Sequence, residues 1–302
     1  MAFYVGRYKN IEKVTYNIEV VTPMFIGGAD PKSAELRVPP IKGMLRYWWR
    51  AINYSKVINN DFSTLFKDES KLFGDSDKFG RSKTIIEIIS DKYGIISVNP
   101  LPHKNSNFRF NAVSPKHNFM VKLCAPKVVH NLFKFSSIVG GVGKRARRGF
   151  GAFNILNLQE YNDDISVFLL NLLESIVPGS YDISNRNILA KNFTNAEYPY
   201  LKKIIFGKKD KNVDNLLAEI GKSSHKNNSD GTGYAKKVGN KTYRLASPVY
   251  TSITKSSEEY CIIVSKLNLV SNIRVENDNS KEFINDLIDI KSEANRTNSR
   301  GK

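Results

Sequence analysis

The sequence predicts an α+β protein built from two tandem ferredoxin-like (RRM-like) domains, antiparallel sheets with helices on one face, the second copy degenerate. Three observations lead there. In the first 160 residues the patterns follow the order strand, helix, strand, strand, helix, strand. Hydrophobic residues make up 41% of the 302, with 17 Phe and 14 Tyr, enough for a packed core in one large or two ordinary domains. Beyond residue 160 the signals weaken but still mix helix and strand, dividing the chain into domains 1–160 and 161–302.

Residues 14–26, VTYNIEVVTPMFI, are rich in β-branched and aromatic side chains and read as the first strand, broken by Gly27, Gly28 and Pro31. Residues 41–51, IKGMLRYWWRA, follow Pro39 and Pro40 and read as a helix, with Leu45, Trp48 and Ile52 on its apolar face and Trp49 at the border. Residues 83–90 and 118–125 supply the second and third strands. Lys127–Val139 has helical spacing through Val129, Leu132, Phe133 and Ser136, ending at Gly140. Residues 150–158 complete the unit. In the second half, residues 164–177 and 212–220 read as helices, and 200–206, 244–254 and 259–267 as strands. A helix over 282–293 precedes a polar tail expected to fray, and the polar stretch 221–241 is expected to be a mobile loop.

The net charge is +17, and it is unevenly placed. Residues 1–160 hold 25 Lys and Arg against 12 Asp and Glu, while residues 161–302 hold 21 against 17. Two windows, 36–60 and 93–159, contain no acid at all. Such an excess points to a polyanion, nucleic acid or an anionic membrane surface. No apolar run approaches the roughly 20 residues of a membrane span, and the first residues lack the apolar stretch of a signal peptide. A cytoplasmic, nucleic-acid-binding protein with no membrane partner is therefore expected. Cys124 and Cys261, far apart and flanked by apolar residues, suit buried thiols of a reducing compartment.

In the first window Lys42, Arg46 and Arg50 recur every four residues, in one stripe of the helix. Like charges so spaced repel, so their balance is expected from outside, as phosphate. Trp49 lies beside the stripe, where a base can stack. In the second window, GGVGKRARRGFGAF carries Gly140, Gly141, Gly143, Gly149 and Gly151 with Lys144, Arg145, Arg147 and Arg148. Glycine permits close backbone approach and successive amides form anion-binding concavities, while arginine forks pair phosphate oxygens. The loop thus suits a nucleic-acid backbone. Its fit to the dinucleotide pattern G-x-G-x-x-A fails on context, because a helix precedes it and glycines continue.

Four ordered segments, TPMFIGGAD, IKGMLRYWWRA, KLFGDSDKFGRSKTIIEI and GGVGKRARRGFGAF, resemble the RAMP superfamily of CRISPR-associated proteins. Together with RLASPVYTSIT at 244–254, they are most similar to the family of first subunits of type III-B Cmr effector complexes. The resemblance implies tandem ferredoxin-like domains, antiviral defence, and a non-catalytic role gripping guide or target RNA near the 3′ end of the guide. It implies single-stranded RNA and other Cmr-complex subunits as partners, and the residues themselves lead us to expect no cofactor and no metal. It makes the helix bases and the loop RNA-contact candidates. Two alternatives stay open: a metal-independent endoribonuclease that processes CRISPR RNA, and a structural cap that binds mainly other subunits. RNA cleavage wants a histidine acid–base pair. The first helix has none, leaving His117 and His130. Asp75 and Asp77 fit a solvated turn better than a metal site.

Overall fold

The computed structural model describes residues 10–28, 33–104, 107–158, 164–192, 196–256 and 258–288. In the first half, β1 (Ile11–Val20), β2 (Ile85–Ile89), β5 (Asn118–Pro126) and β6 (Phe153–Ile155) form a sheet in the order β2-β5-β1-β6, antiparallel at each junction. Alternation decides its faces. Tyr16, Ile18 and Val20 with Phe119, Val121 and Leu123 point into the core under α1 (Val38–Ile52) and α3 (Lys127–Val139). Ile85, Ile89 and Met120 lie exposed on the other face.

The first strand is displaced from its expected span of 14–26. It begins at Ile11 and ends at Val20, because Pro23 has no amide to give to a ladder. The chain instead leaves the sheet, and Met24 and Phe25 bridge to Val113 and Lys144. Two insertions went unread: α2 (Ser63–Phe73) and the hairpin of β3 (Ile95–Val98) with β4 (Phe110–Val113). In α2 the buried positions are Leu65, Glu69 and Phe73, so an acid sits where the periodicity wants an apolar residue.

The second half holds α4 (Ile165–Ile176), β7 (Tyr181–Ser184), β8 (Asn187–Ala190), β9 (Leu201–Asp210), α5 (Val213–Lys226), β10 (Tyr234–Val238), β11 (Lys241–Leu245), β12 (Val249–Ser256), β13 (Glu259–Leu267) and α6 (Ser280–Leu287). Five of its strands make an antiparallel sheet, β12-β13-β9-β8-β7. The expectation of helices on one face fails here. Ile204 and Ile263 pack with α3 and α4, whereas Ile205, Ile262 and Val264 pack with α5 and α6. The unbroken run Cys261-Ile262-Ile263-Val264, buried throughout, demands cover on both sides.

Residues 221–241, expected as a loop, are the end of α5, a 3₁₀ turn at Asp230–Thr232 and the β10–β11 hairpin. Some of their polar side chains are tied to one another or to α6. Asn227 donates to Asp286 at 2.7 Å and Lys236 to Asp230 at 2.7 Å. The last expected helix, 282–293, is found as α6, and its distal part and the polar tail lie outside the described residues. Both cysteines are free thiols, Cys261 buried and Cys124 half-buried. Burial pushes the Cys261 thiol up to about 11.

The connection between β3 and β4 docks on α5 through His103, stacked on His225 with ring centroids 5.0 Å apart. Burial, then the neighbouring His225, Lys104 and Arg145, hold the His103 imidazole below its usual value. The folded contact therefore prefers a neutral His103, and its contribution is complete above the ordinary imidazole pKa near 6.5 and lost as pH falls below it. Amide-exchange protection at Lys104 and Gly221 should drop as pH is lowered below the ordinary imidazole value of about 6.5. In a His103→Gln variant that pH dependence should be blunted.

Candidate nucleic-acid interface

Pro39 and Pro40 open α1, their fixed φ suiting a first helical turn. Trp48 is fully buried, edge-on to Phe135 at 5.7 Å and 5.1 Å from Tyr250 of β12, so α1 packs on both halves. Trp49 is buried too, at 4% exposure, with the Lys56 ammonium 5.8 Å over its ring. The expectation of a base stacking on Trp49 is corrected, since no face of that ring is open.

Lys42, Arg46 and Arg50 do lie half-buried in one row. The charge balancing Arg46 and Arg50, however, comes from inside the molecule. Glu69 of α2, 1% exposed, places Oε1 2.5 Å from Arg46 Nε and 3.5 Å from an Arg50 Nη. Its neighbour Asp68 takes Lys56 at 2.6 Å and Lys71 at 2.9 Å. A window without acids in sequence is thus partly neutralised in space by the helix that follows it.

The glycine-rich loop runs from α3 to β6 and about half of its amides are spent within the protein. Val142 donates to the Gly151 carbonyl, Lys144 to Phe25, Gly151 to Pro23, and Gly149 to Thr251 of β12. Gly143 and Gly151 hold left-handed φ values of +98° and +70°, and a side chain at Gly151 would run into the Val142 carbonyl. Gly140 and Gly141 are equally close to Trp48 and to the Phe150 carbonyl. The glycines therefore let the loop pack on its own protein, and the expected anion-binding concavity of successive amides is not formed by the amides so used.

The four bases of the loop separate into three kinds. Arg148 turns inward: it donates to the Val249 carbonyl at 3.1 Å, to Arg147 at 3.0 Å and to Thr232 at 3.3 Å, and sits 5.1 Å from the Phe283 ring. Burial, then Arg145 and Arg147, bring its pKa down to about 10, so it stays charged at neutral pH. As a phosphate contact it is a correction, because its guanidinium is committed to main-chain carbonyls. Arg147 is intermediate. It donates to the Ser247 carbonyl at 2.7 Å and lies 5.0 Å over Tyr47 and 5.6 Å over Tyr250. Lys144 and Arg145 are exposed.

Helix and loop do meet across a cleft of about 430 Å³. Pro40, Gly43, Met44 and Tyr47 of α1 line one wall, Gly141, Gly143, Arg145, Ala146 and Arg147 the other, and Tyr250 comes from β12. The face of α1 turned to it is not the expected one, for Lys42 and Arg46 lie beside the cleft rather than in it. Arg50 borders a second, apolar groove with Phe62, Leu65, Phe66, Tyr198 and Pro199, and Tyr47 is shared between the two. Sequence reasoning missed Gly43, Met44 and Tyr250 as cleft residues. The recurrence of 40, 43, 44 and 47 at helical spacing was the available signal.

Neither histidine candidate lines the cleft. His130 is buried, Nδ1 2.9 Å from the Tyr16 hydroxyl and Nε2 3.2 Å from the Glu12 and Ala125 carbonyls. His117 Nε2 lies 3.0 Å from the Ser90 hydroxyl, and burial lowers its pKa. Asp75 accepts from the amides of Asp77, Phe79 and Gly80, which makes it the anchor of a tight turn. Among the described residues no group of three metal-capable side chains converges.

Residues 17–154 match the sequence profile of the RAMP superfamily, so the resemblance carried by the four motifs holds over that segment. The CRISPR system Cmr subunit Cmr1-2 of Pyrococcus furiosus is 26% identical over 180 residues, 48% of this chain and 96% of that protein. The crystal structure of Cmr1 from Pyrococcus furiosus (apo form) aligns with a TM-score of 0.58 at 18% identity, over 94% of this chain and 96% of that one. A chain in the cryo-EM structure of the Type III-B Cmr-beta bound to cognate target RNA aligns at 0.56 and 10% identity, over 92% and 99%. At these identities the structural likeness is one of fold.

Arg148→Ala should cost about 2–3 kcal/mol in urea unfolding, because three carbonyls lose a charged donor. Lys144→Glu and Arg145→Glu should leave stability within about 0.5 kcal/mol of the unsubstituted chain. Glu69→Gln should cost about 1–3 kcal/mol by the same measurement, whereas Asp68→Asn, in pairs open to solvent, should cost less than about 1 kcal/mol.

Proposed function

We propose that this chain is a non-catalytic, RNA-binding subunit of a type III-B Cmr ribonucleoprotein, holding single-stranded RNA near the 3′ end of the guide, with other Cmr subunits as its protein partners. The observation that carries the reading is the cleft between α1 and the glycine-rich loop, in the segment that matches the RAMP profile. Arg145 and Arg147 line it, Lys144 and Lys42 flank it, and no acid is among its lining residues. Cations at such a cleft attract a phosphate backbone, while Tyr47 and Tyr250 offer aromatic surface beside them. Arg46 and Arg50, held by Glu69, contribute long-range field rather than first contact.

Two ferredoxin-like units, 1–160 and 161–302, are the architecture this reading adopts. The order β2-β5-β1-β6, with α1 after β1 and α3 after β5, supports the first. In the second, β9, α5, β12, β13 and α6 follow the same succession, with β8 flanking β9 in place of a fourth strand. Binding without catalysis is favoured over endonuclease action by the internal ties of His130 and because neither histidine candidate is among the lining residues of the cleft. No described helix is long and apolar enough to cross a membrane.

Titration of labelled single-stranded RNA at increasing salt checks the reading. Log affinity should fall linearly with log salt, with a slope of roughly −0.7 for each phosphate neutralised. Lys144→Glu with Arg145→Glu should weaken binding and flatten that slope by about 1.4. Salt-independent binding, or an unchanged slope in the double variant, would sink the cleft as the RNA site.

A further inference from the structure

Gly43 stands inside a 15-residue helix, exposed, and a methyl group built on it would meet no atom within 4 Å. A glycine in a helix interior destabilises it relative to alanine. Each other glycine whose surroundings are described either holds a left-handed φ or would bring its new carbon to under 3.0 Å of another atom, which at Gly28 and Gly94 is only the end of a side chain, Glu35 Oε2 and Ser114 Oγ. Gly43 has neither reason. Its small size serves nothing inside the molecule.

What lies outside it is the cleft. Gly43 faces the wall made by Gly143, Arg145 and Ala146, with Lys42 next to it in sequence and Lys144 exposed at the rim. A surface with cations, no lining acid and a missing side chain suits a visitor that is anionic and must come close to the helix main chain. We infer that the sugar–phosphate backbone of single-stranded RNA crosses α1 at Gly43 in van der Waals contact, and that the missing side chain is what admits it. This rests on the RNA-binding reading and adds to it the point of closest approach. A backbone contact carries no base information, so the constraint at Gly43 is blind to sequence. A polypeptide segment could also approach a glycine closely, but four nearby cations would repel a basic one and give a neutral one no advantage.

The test uses the full chain with Gly43→Ala and Gly43→Leu, each titrated with labelled oligo(U) and oligo(A) of equal length. Both variants should melt at or above the temperature of the unsubstituted protein, because alanine and leucine are better helix formers. Dissociation constants should nonetheless rise, modestly for alanine and by about tenfold or more for leucine, by the same factor for both RNAs. If Gly43→Leu binds as tightly as the unsubstituted chain, the inference is wrong while the RNA-binding reading stands. A loss confined to one RNA overturns it as well, since a base would then fill the space. Unchanged RNA binding with loss of a protein subunit from the assembled complex would assign Gly43 to a polypeptide. If the unsubstituted chain binds neither RNA, the functional reading falls and takes the inference with it.

Discussion

The docking of the glycine-rich loop on the edge of the second sheet is the constraint on which the candidate site depends. Gly149 donates to Thr251, Thr251 donates back to the Arg147 carbonyl, and Arg148 bridges β12 in parallel. The Ser252 hydroxyl donates to the Gly140 carbonyl at 2.5 Å. An edge strand left open is a template for pairing with another chain, and here the loop occupies part of that edge. The same contacts fix one wall of the cleft. Because α1 also packs against Tyr250 through Trp48, both walls are referenced to β12. Preorganisation of this kind spares the ordering entropy that a free loop would lose on gripping a ligand.

Charge is distributed with similar economy. A chain of net charge +17 has few acids to place, and Glu69 sits buried between two arginines of the helix before it. Burying a carboxylate is tolerable only with such partners. The arginines keep outer surfaces in water, so the helix still contributes positive potential without the full cost of repeated like charges. Lys144, its ammonium 5.4 Å from the Phe110 ring, and Arg145 are exposed and pair with no acid among the described residues.

Much of the first half was legible in sequence, because its strands alternate and its helices keep a regular apolar face. The ends were less so: Pro23 closes β1 early, a stereochemical fact that composition over 14–26 conceals. The cations of the site were visible as residues, but their orientation was not. Arg147 and Arg148 are adjacent and chemically identical, and both donate to carbonyls at or beside β12, about a hundred residues on, yet only Arg147 also lines the cleft. Glu69 escaped notice for the related reason that a buried acid imitates an exposed one in a helical pattern. In the second half, the cover on both faces of the sheet was written in the Cys261–Val264 run, yet a continuous apolar stretch does not say which elements supply the cover.

The separation between Arg147 and Ser247 has a further meaning for how such a chain comes into being. A ribosome delivers residues 140–151 well before it delivers the strand that seats them. During that interval the N-terminal sheet can close around its own helices, but the Gly140 and Arg147 carbonyls and the Arg147 and Arg148 guanidiniums lack their partners on and beside β12. The cleft is therefore a late product of synthesis. A nascent or prematurely ended chain would display basic residues without the geometry that makes them selective, and such a fragment would associate with polyanions indiscriminately.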